Sequence, residues 1–250
     1  MSEPIENLEQ YKVIQNNFNL LFDSGRFKFP LYHATSSAFI PSILEHGLGG
    51  LDIVEEYRVL ELLEKLAMLI EAHLPDYGEE YIEQLKLISR QETGNNWRHG
   101  GAFLTPSIDR AVKYAVNEFG SELLSILSGI HADVVKYIPG TSTIIDDYPG
   151  IKRLLSANHR PVLIVVDDVE GKSLQAEDGN DIIRNMIKLI FSFGDNSHDS
   201  ASISEHMDDV GQQINFQLTE PKHIDISSCF EIVYQRRDKI SPRYELIDFE

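Results

Sequence analysis

Two short segments of the sequence combine a histidine, small hydroxyls and aromatic rings, a set that suits a polar ligand with a planar group. The imidazole of His33 can hydrogen-bond a ligand hydroxyl, and the rings of Phe103 and Tyr114 can stack on a flat group. The candidate binding residues are Tyr32, His33, Ala34, Thr35, Gly101, Phe103, Thr105, Ser107 and Tyr114. Each of these types is more often structural when it stands alone, so no single one of them predicts a site.

A strand followed by a short helix is predicted to hold the histidine. Residues 31–32 favour a strand. The hydroxyl of Ser36 or Ser37 can cap the helix that follows, and Gly47 supplies a left-handed stop. We therefore expect His33 at the carboxyl end of a strand, on a rigid turn that a ligand can reach.

A second strand-to-helix turn is predicted in the other segment. Residues 102–104 form a short strand, and Thr105 or Ser107 caps the helix after it. The core-facing positions of that helix are Ile108, Ala111, Val112 and Ala115.

The two segments resemble the first two motifs of the ADP-ribosyltransferase superfamily. Its members open on an aromatic–histidine pair, here Tyr32-His33, followed by a helix that ends in glycine and leucine. The run 101–107, GAFLTPS, and the Ala-x-x-Tyr-Ala pattern at 111–115 are similar to the second motif. Together with a later set of strands, the resemblance covers most of the chain outside 51–96.

This resemblance implies an α+β fold in which a split, mostly antiparallel β-sheet surrounds an NAD+-binding cleft. It also implies that NAD+ is a substrate and that ADP-ribose is transferred to a macromolecule, as in mono-ADP-ribosyltransferases of the toxin, effector or defence type. In that role His33 bonds the ribose, and Phe103 or Tyr114 lies against nicotinamide. The hydroxyls that position the ligand would be those of Thr35, Thr105 and Ser107.

The third element of the family departs from the usual pattern. Many relatives carry a catalytic glutamate at the start of a late strand, where this chain reads QQINFQLTEP over 212–221. If the triplet 213–215 is equivalent, Asn215 replaces the glutamate, and an amide cannot act as a base. Glu220 is the alternative source of the carboxylate. The candidate catalytic residues are therefore His33, Asn215 and Glu220.

Two other functions stay open at this point. A non-catalytic module could keep the NAD+ or nucleotide cleft after losing the chemistry at Asn215. An RNA 2′-phosphotransferase would need basic residues to hold a phosphate, and the sequence near the motifs has no such constellation beyond Arg98, His99 and Arg110.

One domain is expected over 1–250, with a helical insertion at 51–96. Apolar spacing predicts a long helix over 53–74 and a second over 81–88, joined by a turn at 75–78. The hairpin is rich in acidic residues, which indicates a solvated face, a surface for an antitoxin or regulatory partner, or a lid.

The remaining elements follow from apolar periodicity and turn residues. The pattern predicts helices at 5–22, 121–130 and 181–193, a strand at 161–166 that is buried on both faces, loops at 146–150 and 194–209, and strands at 214–219 and 230–234. His198, Asp199, His206 and Asp208 match no compact ligand spacing, so no metal is expected.

Composition limits the compartment and the target. The single cysteine, Cys229, forms no intrachain disulfide, and the N-terminus has no Sec-type signal, so we expect a reducing, cytoplasmic location, with delivery into another cell left open. No apolar run is long enough to cross a membrane, and we expect no membrane as a partner. A net charge of −18 makes a protein target more favourable than a nucleic acid.

Overall fold

A computed structural model describes residues 25–27, 29–74, 79–89, 101–115, 120–176, 215–219, 224, 226–236 and 243–249. The strands are β1 (Leu31–Ser36), β2 (Phe103–Leu104), β3 (Pro161–Val166), β4 (Leu174–Ala176), β5 (Phe216–Leu218), β6 (Ser228–Arg236) and β7 (Arg243–Asp248). The helices are α1 (Ile40–His46), α2 (Ile53–Glu56), α3 (Val59–His73), α4 (Glu79–Ser89), α5 (Ile108–Ala115), α6 (Glu122–Tyr137) and α7 (Pro149–Ser156). The predicted helices at 5–22 and 181–193 and the loop at 194–209 lie outside the described residues.

Two antiparallel sheets organise the α+β fold. The first has the strand order β1-β3-β6-β7 and the second the order β2-β5-β4. The prediction of a strand buried on both faces is confirmed, because Val162, Leu163 and Ile164 are fully inaccessible. Alternation along β3 turns Leu163 toward α5 and turns its two neighbours toward the main core. β4 and β7 were not predicted from the sequence.

Two helices of the segment 51–96 belong to the core. The apolar face of α3 is buried from Val59 to Ile70, and it packs against α6. Ile82 and Leu85 bring α4 into the same apolar cluster. The predicted long helix is broken, because Arg58 takes a left-handed conformation at φ 56° between α2 and α3.

Tyr148 ties these helices to the rest of the domain. Its ring is buried, its hydroxyl donates to Glu61 Oε1 at 3.0 Å, and the Arg58 guanidinium lies 5.0 Å from the ring centre. The prediction of a loop at 146–150 was wrong, since residues 144–147 form a 3₁₀ turn and Pro149 opens α7. Proline at a first helical position loses no intrahelical hydrogen bond, so it favours a helix start here.

No helix in the described ranges combines the length and apolar character needed to cross a bilayer.

Candidate functional site

The two motif strands meet at a single pair of backbone hydrogen bonds. Tyr32 N donates to Thr105 O at 2.8 Å, and Thr105 N donates to Tyr32 O at 2.9 Å. This bridge joins the first sheet to the second across 73 residues of sequence, the difference between positions 105 and 32. The two segments selected from the sequence therefore converge in space.

The antiparallel pairing between these two segments ends at His33. The next backbone pair of an antiparallel ladder would join Ala34 to Phe103, two residues along each strand. Instead, the carbonyl of Phe103 accepts a hydrogen bond from Nδ1 of His33 at 2.8 Å. The side chain thus takes the place of a strand-to-strand bond, and β1 and β2 separate at this point. We call this arrangement the His33–Phe103 junction.

The junction also fixes the protonation of the imidazole. A carbonyl oxygen only accepts, so Nδ1 carries the hydrogen. Burial lowers the pKa of His33 below its usual 6.5, while the bond to the Phe103 carbonyl acts in the opposite direction. The ring is therefore neutral near pH 7, and Nε2 has a lone pair that can accept a hydrogen bond from a ligand hydroxyl.

Phe103 has an amide side chain as its cross-strand neighbour. Phe103 pairs with Gln217 of β5, and the adjacent Leu218 N bonds Ala102 O at 3.0 Å. Phe103 and Gln217 are therefore a non-hydrogen-bonded pair, the type whose side chains lie closest. Gln217 in turn accepts a hydrogen bond at Oε1 from Gln175 Nε2 of β4 at 3.0 Å. We call Gln175 and Gln217 the amide pair.

Gly101 leaves the space that Gln217 occupies. A Cβ at position 101 would lie 2.6 Å from Gln217 Nε2 and 3.3 Å from the ring of Phe103. A larger residue would therefore require the end of the Gln217 side chain to move. Gly101, Phe103 and Gln217 therefore form one contiguous wall beside the junction.

Gln217 is not among the residues predicted from the sequence. The third element was predicted at Asn215 or Glu220, whereas Asn215 lies one residue before β5 and Glu220 lies outside the described residues. Strand alternation was the available signal: Phe216 and Leu218 are buried in the core, so Gln217 between them must face the other side.

Several other predicted binding residues lie elsewhere. Tyr32 and Ala34 pack their side chains against the cluster beneath α5, on the sheet face opposite to His33. Tyr114 is exposed on α5, and its hydroxyl donates to Glu122 at 2.7 Å. Thr35 is buried in the strand.

Thr105 and Ser107 build the turn into α5. The Ser107 hydroxyl accepts from Arg110 N at 3.1 Å, and the Thr105 hydroxyl accepts from Ser107 N at 3.3 Å. Ser107 therefore caps α5, and Thr105 holds the capping residue from the preceding turn. Both residues are buried.

A serine and a histidine fix the end of β1. Ser36 is buried and lies 2.6 Å from His159 Nδ1, while His159 Nε2 lies 2.6 Å from Leu154 O. Because the carbonyl only accepts, Nε2 of His159 carries a hydrogen, and the other ring nitrogen forms the bond with the Ser36 hydroxyl. Gly120 lies against the same strand end, since its Cβ would be 2.6 Å from Ser36 N.

The strands around the junction carry little charge. β1, β2, β4 and β5 contain no aspartate, glutamate, lysine or arginine. Within the described ranges, no cluster of three histidine, cysteine or acidic residues is arranged to hold a metal ion. The described wall therefore suits a neutral or delocalised aromatic group better than a compact anion.

Comparisons with protein-family models, with curated proteins and with solved structures find no significant match for this chain.

Proposed function

We propose that this chain binds NAD+ at the His33–Phe103 junction and transfers its ADP-ribose to a macromolecule. One observation carries the proposal: two motifs separated by about seventy residues meet through the 2.8 Å bond from His33 to Phe103. An aromatic ring, a neutral imidazole and an uncharged wall lie together there. Those groups suit a nicotinamide ring joined to a ribose.

The proposed reaction assigns a separate task to each group. The bond between the ribose carbon and the nicotinamide nitrogen breaks, and its electron pair leaves with nicotinamide. A nucleophile of the target then bonds that carbon and loses a proton. His33 Nε2 holds a ribose hydroxyl, and Phe103 provides a face for the departing ring.

The carboxylate that would stabilise the cation-like ribose is assigned to Glu220. Asn215 and Gln217 bring amides, which carry no charge for this task. The proposal therefore requires Glu220, which follows the last residue of β5 by two positions in the sequence, to act beside the ring.

We propose a cytoplasmic protein target, because the net charge of −18 opposes approach to nucleic-acid phosphates. A regulatory or antitoxin partner would bind the outward faces of α3 and α4. Their exposed acidic residues include Glu61, Glu71, Glu79, Glu80 and Glu83. Such a partner would present basic residues.

A second candidate is a module that binds NAD+ without turning it over. The observation that favours it is the uncharged composition of β1, β2, β4 and β5, which supplies a binding wall but no acid. A Glu220→Gln variant separates the two candidates: it abolishes turnover in the enzyme, whereas the module shows no turnover in either form.

The test combines calorimetry with labelled NAD+. Purified protein and a cell lysate are incubated with NAD+ that carries the label in its adenylate phosphate, and nicotinamide release and label transfer are measured. We expect His33→Ala to abolish both, and we expect the matched change of an exposed histidine, His73→Ala in α3, to leave both unchanged. Protease and nuclease sensitivity of the labelled product identify the target class.

The outcomes are distinct. NAD+ binding without release or transfer favours the binding module. Activity on 2′-phosphorylated RNA alone favours the phosphotransferase. Absence of NAD+ binding to the wild-type protein refutes both proposals made here.

A further inference from the structure

We propose that this protein forms a symmetric homodimer through a groove between α1 and the carboxyl end of β7. We call it the α1–β7 groove. Its volume is about 840 Å³, and the residues that line it include Ile40, Pro41, Leu44, Arg160 and Phe249. The residues of the His33–Phe103 junction do not line this groove, so the proposal stands apart from NAD+ binding.

One side of the groove comes from the part of the first sheet that the main core leaves uncovered. Val162 of β3, Glu231 of β6 and Ile247 of β7 are opposite one another in register, so they form a row on one face of the sheet. Val162 is fully buried, whereas Ile247 is 46% exposed. The core therefore ends within this row. Phe249 continues the strand pairing, since its N donates to Cys229 O at 3.0 Å, and it lies on the same face as Ile247.

The other side of the groove comes from α1. Pro41 and Leu44 are exposed and three residues apart, so they lie on the same face of the helix. Leu44 is 68% exposed, more than any other large apolar side chain in the described part of the chain. A protruding leucine beside an apolar groove is self-complementary. Leu44 of one copy fills the groove of the other, and two-fold symmetry repeats the contact.

The charges at the groove favour a second copy as the occupant. Arg160 is the one charged residue that lines it within the described ranges. Its guanidinium donates to Glu231 and lies 5.0 Å from the centre of the Phe249 ring. The groove is therefore neutralised from within, and two copies with a net charge of −18 can meet there without opposing carboxylates inside it.

A basic partner has no reason to choose this surface. It would gain more from the exposed acidic residues of α3 and α4, because complementary charge directs such a partner there. A dimer at the α1–β7 groove instead has to overcome the overall repulsion between two acidic chains. Salt screens that repulsion, so the dimer should become tighter as the salt concentration rises, whereas a complex held by opposite charges should become weaker.

The test measures the mass of the full chain by analytical ultracentrifugation. Protein is examined from about 1 to about 500 μM, in about 50 mM and about 500 mM salt. The variants are Leu44→Asp and Leu44→Lys, which place opposite charges at one exposed position. The matched control is Met68→Asp, since Met68 is 59% exposed on α3 and does not line the groove. Thermal melting followed by circular dichroism checks that each variant is folded.

We expect the wild-type protein to pass from the mass of one chain to that of two as its concentration rises. The dissociation constant should be micromolar, because a patch built from one short helix and one strand end is small for a dimer interface. Higher salt should tighten the dimer several-fold. Leu44→Asp and Leu44→Lys should each weaken it at least about tenfold, and Met68→Asp should leave it unchanged.

Four results would overturn the inference. They are a wild-type protein that stays monomeric throughout, a dimer that both Leu44 variants leave intact, a dimer that only the aspartate weakens, and a dimer that salt weakens. The last two would show that charge rather than apolar contact joins the copies. Calorimetry with NAD+ on the same samples keeps this question separate from the proposed function, because Leu44→Asp should not change NAD+ affinity.

Discussion

Two substitutions at His33 separate its bond to Phe103 from its proposed contact with a ligand. In His33→Asn, the side-chain amide nitrogen can take the place of Nδ1 and still donate to the Phe103 carbonyl. It has no counterpart of Nε2. In His33→Ala, both functions are lost. The two variants should therefore differ in stability and agree in ligand affinity.

The expected loss of stability follows from the 2.8 Å bond. Removing its donor leaves a partly buried carbonyl without its partner and removes the packing of the ring, which together cost about 2 kcal/mol. For a chain of this size we expect His33→Ala to lower Tm by about 4–8 °C. His33→Asn keeps the bond and should lose less than about 1 kcal/mol.

The ligand contact is measured on the same two proteins. Urea unfolding followed by circular dichroism gives the free energy of unfolding, and calorimetry gives NAD+ affinity. Both variants should bind NAD+ about tenfold more weakly, equivalent to about 1.4 kcal/mol, because both lack Nε2. The control, His73→Asn in α3, should change neither quantity.

Two results would refute this reasoning. If His33→Asn is as unstable as His33→Ala, the bond to Phe103 does not hold the strands as described. If His33→Asn binds NAD+ like the wild-type protein, Nε2 does not contact the ligand.

The pH dependence has a definite sign. Burial lowers the pKa of His33 in the folded protein below its usual 6.5, so the unfolded chain binds more protons between those two values. The contribution of neutral His33 to the free energy of unfolding is complete above pH 6.5. It is lost as the pH falls toward the pKa of His33 in the folded protein. The wild-type protein should therefore lose stability relative to His33→Asn between pH 7.5 and pH 5.

Three further predictions concern the supports of the site, and urea unfolding measures each. Gly120→Ala should lower the free energy of unfolding by at least about 3 kcal/mol, because the residue has φ 62° and its Cβ would collide with the backbone of β1. The control Gly129→Ala meets open space inside α6 and should raise the free energy of unfolding by about 0.5–1 kcal/mol. Equal effects of the two substitutions would contradict the close approach of Gly120 to β1. Ser36→Ala should cost about 1–2 kcal/mol through the lost bond to His159, and an unchanged stability would show that this bond contributes nothing. His131→Leu should raise the free energy of unfolding by about 1 kcal/mol, since burial lowers the pKa of His131 and its Nε2 has no partner within the described part of the chain. This gain in stability should grow as the pH falls below 6.5. A gain that does not depend on pH would refute the titration of this ring.

The structure changes the interpretation of the helical insertion. An amphipathic hairpin between two motifs is compatible with a detachable lid. In the fold, however, the apolar face of α3 lies in the main core, and Tyr148 is held by Arg58 and Glu61. Detaching α3 would expose six buried apolar side chains, from Val59 to Ile70, so this helix is a fixed part of the domain.

Local sequence determined the features that depend on neighbouring residues. The apolar run predicted β3, and residue preference predicted the start of β1. The expectation that His33 lies at the carboxyl end of that strand was wrong, because β1 continues to Ser36. The caps were predicted at Ser36 or Ser37 and at Thr105 or Ser107, and the structure uses Ser36 and Ser107. These elements depend on backbone geometry within a few residues. For that reason a single sequence is enough to indicate them.

Only the tertiary structure decided what surrounds Phe103. The hydrogen-bond partner of His33 depends on which segment lies beside β1. That segment carries Phe103, which is 70 positions away in the sequence. Gln217 became a candidate because the β2–β5 register places it opposite Phe103, and a shift by one residue would have put the core residue Phe216 or Leu218 there. Register between distant strands is set by the packing of the whole core, so it could not be derived from the residues of either strand.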